Sequence, residues 1–215
     1  MPTRTPPDTL PATVYLLAWD ADKQRLSRNQ NLGFLIRGAV LVELSLRGCA
    51  YDDEGKVKPS GSKRTGDRVL DDVLREMSDD RPRSWGAWVQ RRSRTTLVAV
   101  GDQLATAGVA KVEQQRVLGI FPRRHVRITD PAVAESARKT LRRILTGSAT
   151  PSDRDAALVA LVAAGELRTA LSRKDRKEYA ERVTACNELA GPAAPALRKV
   201  IRSMKAARAS AQAGG

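Results

Sequence analysis

Apolar positions along the chain fall into separate clusters, and their spacing predicts a mainly helical protein. The longest cluster runs from Leu32 to Leu46 and includes Phe34, Leu35, Ile36, Val40, Leu41, Val42 and Leu44. On a helix these side chains point to every face, so the segment reads as a central helix buried all round. Glu43 and Arg47 stand four apart and can pair near its end, and Gly48 is a natural stop. Arg37 breaks the pattern. A charge inside a buried helix is costly unless it is paired or reaches an opening. It is therefore either satisfied internally or lines a pocket for an anion.

The remaining clusters are shorter. Leu10 to Trp19 is apolar but too short for periodicity to separate helix from strand. Ala21 to Asn31 reads as a loop, and Ala50 to Arg64, with Gly55, Pro59 and Gly61, as a loop or irregular hairpin. Thr65-Gly66-Asp67 opens a helix that carries Val69, Leu70, Val73 and Leu74 and ends near Ser78. Trp85 and Trp88 share one side of the next helix, and Leu97 to Ala107 forms another, closed by Gly108. Leu118, Ile120, Val126 and Ile128 alternate on both sides of Phe121-Pro122-Arg123-Arg124-His125, which signals a β-hairpin over Val117–Ile128. Helices are expected over 132–145, behind Pro131, and from Pro151-Ser152-Asp153 to about Leu171. Others are expected from Arg176 to Leu189 and from Ala196 to Arg208. In the last, Leu197, Val200, Ile201 and Met204 make an apolar stripe on an otherwise basic helix. Such a helix can lie on an anionic membrane or dock its stripe on the core. The expected fold is a compact, mainly α domain around a buried central helix, with a protruding β-hairpin. It spans residues 9–190, after a flexible tail at 1–8 and before a basic helix and tail at 191–215.

Charge changes the picture next. The 215 residues hold 38 Lys and Arg against 24 Asp and Glu, a net charge of +14, and the sequence pI is about 10.5. Residues 1–107 carry 17 basic and 14 acidic side chains; residues 108–215 carry 21 and 10. A surplus this large points to an anionic partner, either nucleic acid or an acidic membrane surface, met mostly by the second half.

Composition also excludes chemistry. One histidine, His125, and two distant cysteines, Cys49 and Cys186, cannot build a Cys/His zinc site or a disulfide framework. A Ser-His-Asp enzyme would need His125, which follows two arginines. Phosphate-loop, dinucleotide, HExxH and GxSxG motifs are absent. The acid pairs Asp52-Asp53 and Asp79-Asp80 lie in polar loops, and Asp71-Asp72 are helix neighbours that do not face each other. The sequence thus predicts no catalytic residues, no metal and no cofactor. It has no apolar run of the ~18 residues that span a bilayer. Its first residues, MPTRTPPDTLP, lack the apolar centre of a signal peptide. A cytoplasmic protein is expected, and the Ala/Arg/Val/Leu-rich usage resembles that of bacteria.

The run Leu35-Ile36-Arg37-Gly38-Ala39-Val40-Leu41-Val42-Glu43-Leu44-Ser45-Leu46-Arg47-Gly48 resembles the core motif of the Golgi phosphoprotein 3 family, which has many actinobacterial members. Later motifs keep the family's order. They are Thr65-Gly66-Asp67-Arg68-Val69-Leu70-Asp71, Trp88, Gly108, the hairpin, Asp130-Pro131, and Asp153-Arg154 before Ala157-Leu158-Val159-Ala160-Leu161. The resemblance covers about residues 9–190. It implies a peripheral membrane protein without enzymatic activity. Eukaryotic members bind phosphatidylinositol 4-phosphate and link Golgi membranes to cargo enzymes.

By motif position the resemblance puts Arg37 and Arg94 at two of the family's headgroup arginines. Arg28 stands where the family has a tryptophan, and Leu97 where it has a further arginine. Arg28, Arg37 and Arg94 are therefore expected to cradle a phosphorylated headgroup, since the planar guanidinium fork donates two hydrogen bonds to phosphate. Leu118, Ile120 and Phe121 are expected to insert shallowly, while Arg123, Arg124 and Arg127 attract the surface. The expected partner is an anionic membrane lipid on the cytoplasmic face of a membrane. Further expected partners are a protein cargo and a second copy of the chain joined through the hairpin. The alternative is a nucleic-acid-binding protein, which aromatic content of only 4% disfavours because base stacking would have few platforms.

Overall fold

A computed structural model describes residues 5–61, 64–117, 121–189 and 194–213. Its order is α1 (Leu10–Leu17), β1 (Trp19–Asp20), β2 (Arg25–Leu26), α2 (Leu32–Leu46), β3 (Ala50–Asp53), β4 (Lys56–Pro59), α3 (Arg68–Ser78), β5 (Arg83–Ser84), α4 (Trp85–Gln90), α5 (Ser93–Thr106), β6 (Ala110–Val117), β7 (Phe121–Ile128), α6 (Pro131–Thr146), α7 (Asp153–Ala164), α8 (Arg173–Glu178), α9 (Ala180–Glu188) and α10 (Ala194–Ala213). The fold is mainly α, as expected. α2 packs against α1, α4, α5, α7 and α10, so apolar residues on all its faces find partners.

Local chemistry places the helix starts. Thr9, Asp67, Ser84, Asp130 and Ser152 each accept a backbone N–H of the following turn, which satisfies donors that a helix start leaves free. The 10–19 stretch, open between helix and strand, is helical up to Leu17, with Pro11 in its first turn. Trp19 then pairs with Leu26 in a short hairpin inside the segment expected to be a loop. Residues 50–59 form the β3–β4 hairpin, and β5 joins it as a third strand.

Three boundaries differ from expectation. The helix begun at Asp153 ends at Ala164, not near Leu171. Glu166 takes a left-handed conformation at φ 47°, and the N–H groups of Glu166 and Leu167 return to the carbonyls of Ala163 and Val162. Leu167 and Leu171 stay buried beyond this stop, so apolar spacing continues where the helix does not. The 176–189 helix is two pieces, α8 and α9, divided at Tyr179. In the long hairpin, Phe121–His125 lie within β7 rather than at the turn, and Ala110 pairs with Ile128. The run Ala110 to Val117 is mostly polar and has no alternation to read.

α10 decides between the two readings of the basic helix. Its Leu197, Val200 and Met204 are buried against the body, with Lys199 paired to Asp52 and Arg208 to Glu166. It belongs to the same core as the rest of the chain. Gly38 on α2 makes the close approach: a Cβ there would sit 2.6 Å from Val200 Cγ1. None of the helices among the described residues is long and apolar enough to cross a membrane.

Candidate functional site

Arg37 is the second-turn charge of α2 and only 1% exposed. Its donors are satisfied in three directions. Nε donates to the carbonyl of Trp88 at 3.1 Å, one terminal nitrogen to Thr96 Oγ1 at 3.1 Å, and the other to Glu76 Oε2 at 3.0 Å. The guanidinium also lies over the Trp88 ring, 5.8 Å from its centre. Burial pulls the Arg37 pKa below its ordinary value, and the Glu76 carboxylate opposes that pull. A guanidinium so placed remains a cation.

Glu76 passes the interaction on. Its other oxygen accepts Arg91 Nε at 2.8 Å, Arg91 also reaches Asp80 at 3.0 Å, and Arg83 grips Asp80 with two nitrogens. The chain Arg37–Glu76–Arg91–Asp80–Arg83 thus ties α2 to α3, to the end of α4 and to β5. Its first four members line an open cleft of about 540 Å³. The lining holds four cations, Arg37, Arg75, Arg91 and Arg92, and four carboxylates, Asp72, Glu76, Asp79 and Asp80. This cleft is rich in charge but balanced.

A second buried acid organises the other side of α2. Glu43, 1% exposed, accepts the backbone N–H of Leu10 at 2.9 Å, Arg47 Nε at 2.7 Å and Arg154 at 2.6 Å. Arg154 also reaches Asp8 at 3.2 Å. The expected Glu43–Arg47 pair is present; its Arg154 partner comes from α7, more than a hundred residues away.

The three residues expected to share a headgroup do not line one common cleft among the described residues. Arg37 lines the balanced cleft. Arg28 is exposed and lines a different cleft, with Arg168 and Arg208. Arg94, exposed in the first turn of α5, lines neither, though Gly33 of α2 approaches the backbone of Ser93 and Arg94. Arg127 is exposed on β7, opposite Lys111 of β6. Phe121, Arg123 and Arg124 are in β7, but their side chains lie outside the described residues, as do Leu118 and Ile120 altogether.

Two arginines important to this geometry were missed in the sequence. Arg91 carried a signal, since it opens the run Arg91-Arg92-Ser93-Arg94 just after Trp88. Arg168 carried none, because it was placed inside a helix that stops short of it. Among the described residues there is no cluster of His, Cys, Asp and Glu that could hold a metal.

A buried, largely apolar helix pinned through one arginine, encircled by helices and followed by a long hairpin, defines the class: a mainly helical domain built around a central helix. The match is direct. The family model described as Golgi phosphoprotein 3 (GPP34) covers residues 10–204, and the chain belongs to that family. None of the curated proteins compared with it matches.

Proposed function

We propose that this protein is a peripheral membrane protein that binds anionic phospholipid headgroups on the cytoplasmic face of a membrane. The observation that carries the reading is a set of exposed cations left without acid partners. Lys139 and Arg143 on α6, Arg173 on α8 and Arg198 and Arg202 on α10 are exposed and make no ion pair among the described residues. Lys111 and Arg127 stand directly opposite each other on the hairpin, an arrangement that repels unless an anion lies over it.

Each such side chain near an anionic leaflet contributes about 1 kcal/mol. Three together give roughly a hundredfold in affinity. In this reading Arg37 holds the wall of its cleft, while Arg28 and Arg94 are exposed and able to meet the surface. Shallow insertion is assigned to Leu118, Ile120 and Phe121, and surface attraction to Arg123, Arg124 and Arg127. The phosphoinositide preference of the eukaryotic relatives is a finer proposal that rests on the family resemblance.

Flotation tests the reading. At about 0.15 M salt, where charges still act over roughly 8 Å, the protein should float with vesicles of phosphatidylcholine and phosphatidylglycerol and stay behind with phosphatidylcholine alone. Equal behaviour with both vesicles would overturn it. Binding to duplex DNA but to neither vesicle would replace it with the nucleic-acid reading.

A further inference from the structure

The long hairpin has an inner and an outer face. Ala110 of β6 and Val126 and Ile128 of β7 are buried against the body. Successive side chains of a strand point to opposite faces, so Lys111, Glu113, His125 and Arg127 share the outer one. The register sets Lys111 opposite Arg127 and Glu113 opposite His125, as successive pairs on that face. Residues so opposed hold their Cβ atoms about 5 Å apart. Lys111, Glu113 and Arg127 are exposed, and His125 is half-buried.

The charged groups around His125 come from four elements. Glu113 and Lys111 lie across the ladder on β6, and Arg123 and Arg127 stand two positions away on β7. β2, packed against β7, carries Arg25, and α5, packed against β6, carries Arg94 and Asp102. Cations thus outnumber carboxylates around the imidazole, which makes no ion pair of its own among the described residues. Like charges disfavour an imidazolium, and an anionic surface laid over them favours it.

His125 is the only histidine of the chain. Imidazole is the side chain whose charge ordinarily changes between about pH 5 and pH 8, whereas carboxylates ordinarily change near pH 4. Both cysteines are buried, and burial pushes the Cys186 thiol up. A side-chain charge gained between about pH 7.5 and about pH 5.5 therefore traces to one residue. That residue sits where the gain counts. Lys111 and Arg127 against Glu113 leave one net positive charge on the described outer face, and an imidazolium doubles it.

We infer that His125 is a proton-dependent contact between the outer face of the hairpin and an anionic lipid surface, so that acid tightens the hold of the protein on its membrane. This rests on the membrane reading above and adds a regulation of it. An anionic leaflet favours the charged form of an imidazole held against it. By linkage the charged form in turn favours the leaflet. The extra affinity is therefore complete on the acid side of the imidazole transition and is lost as pH rises through it. One cation near such a leaflet is worth about fivefold in affinity.

The test measures vesicle affinity of the full chain at about pH 7.5 and about pH 5.5, on either side of the ordinary imidazole transition near 6.5. The vesicles are phosphatidylcholine with phosphatidylglycerol, a phosphodiester whose charge stays constant over that range, and phosphatidylcholine alone. The variants are His125→Gln, which cannot take up the proton, and His125→Arg, which carries the charge at both pH values. Unchanged thermal melts at each pH check folding. Wild-type affinity for the anionic vesicles should rise about fivefold on acidification. His125→Gln should lose that rise. His125→Arg should bind about equally at the two pH values, and about fivefold more tightly than His125→Gln at the higher one. Anionic-vesicle binding that ignores pH in the wild type, or that rises equally in His125→Gln, overturns the proton-dependent contact and leaves the membrane reading standing. A rise seen equally with phosphatidylcholine alone also overturns it, since the acid effect then acts through apolar insertion and not through charge. Absence of binding to the anionic vesicles at both pH values sinks the membrane reading and the contact together.

Discussion

Arg37 shows how one residue can carry a charge through an apolar helix. Its cost is met by three acceptors from three other segments, and removing it leaves Glu76 short of a partner. Arg37→Ala should therefore destabilise the fold by about 3 kcal/mol in urea denaturation, the usual cost of breaking a buried pair. Arg37→Lys should recover only part of this, because one ammonium cannot reach three acceptors set around a planar fork. Acid should act through other residues. Desolvation pushes the Asp71 carboxyl up, but the N–H and hydroxyl of Thr65 outweigh it and hold the carboxyl below the usual range. Arg208 lowers Glu166, and the Ser172 hydroxyl and N–H lower Asp175. A folded value below the unfolded one gives stability that is complete above the unfolded value of about 4 and lost as pH falls through the folded value. Melting temperature should thus drop steadily below about pH 4, and less steeply in Asp71→Asn. From sequence the Glu43–Arg47 pair was legible because four residues make one helical turn. Arg37's partner was not, because Glu76 sits on another helix.

At the scale of elements, α10 and α2 touch where Gly38 leaves no room for a side chain. Gly38→Ala should cost about 1–3 kcal/mol by overpacking. Adding Val200→Ala should give back part of the loss, since it removes the Cγ1 that the new methyl meets; a double-mutant cycle in urea measures the coupling. Ser152 and Asp153 marked the start of α7 correctly, because caps are local chemistry. Its end was misread because Leu167 and Leu171 prolong the helical spacing, while Glu166, not glycine, adopts the left-handed turn. Glu166→Gly relaxes the turn and removes the Arg208 pair together, whereas Glu166→Gln removes the pair alone, so the difference between their melting temperatures isolates the backbone strain. The β6 strand is hard to read from sequence because its apolar alternation is confined to Ala110 and Val112 and the residues after them are polar up to Val117.

Over the whole molecule, the excess charge after residue 107 divides into arginines that build the protein and arginines that face outward. Arg154, Arg176 and Arg182 bind carboxylates or carbonyls of neighbouring elements. Among the described residues, Arg143 of α6, Arg173 of α8 and Arg198 and Arg202 on the outer face of α10 make no such bond. Raising salt from about 0.1 M to about 1 M shortens the reach of charge from about 10 Å to about 3 Å. Vesicle binding through this diffuse field should fall steeply over that range in flotation, whereas thermal stability, resting on buried pairs, should change little.

The sequence by itself determined the mainly α class, the buried central helix, the capped helix starts, the hairpin and the direction of the charge. All of these follow from spacing, from caps and from composition, which are local or additive. Only the tertiary structure decided that α10 docks on the core, that Arg37 is answered by Glu76, Thr96 and Trp88, and that Arg28 and Arg168 meet at one groove. Those outcomes depend on which residues distant in the chain are brought into contact, and the short range of packing and of a hydrogen bond leaves no mark in the linear pattern.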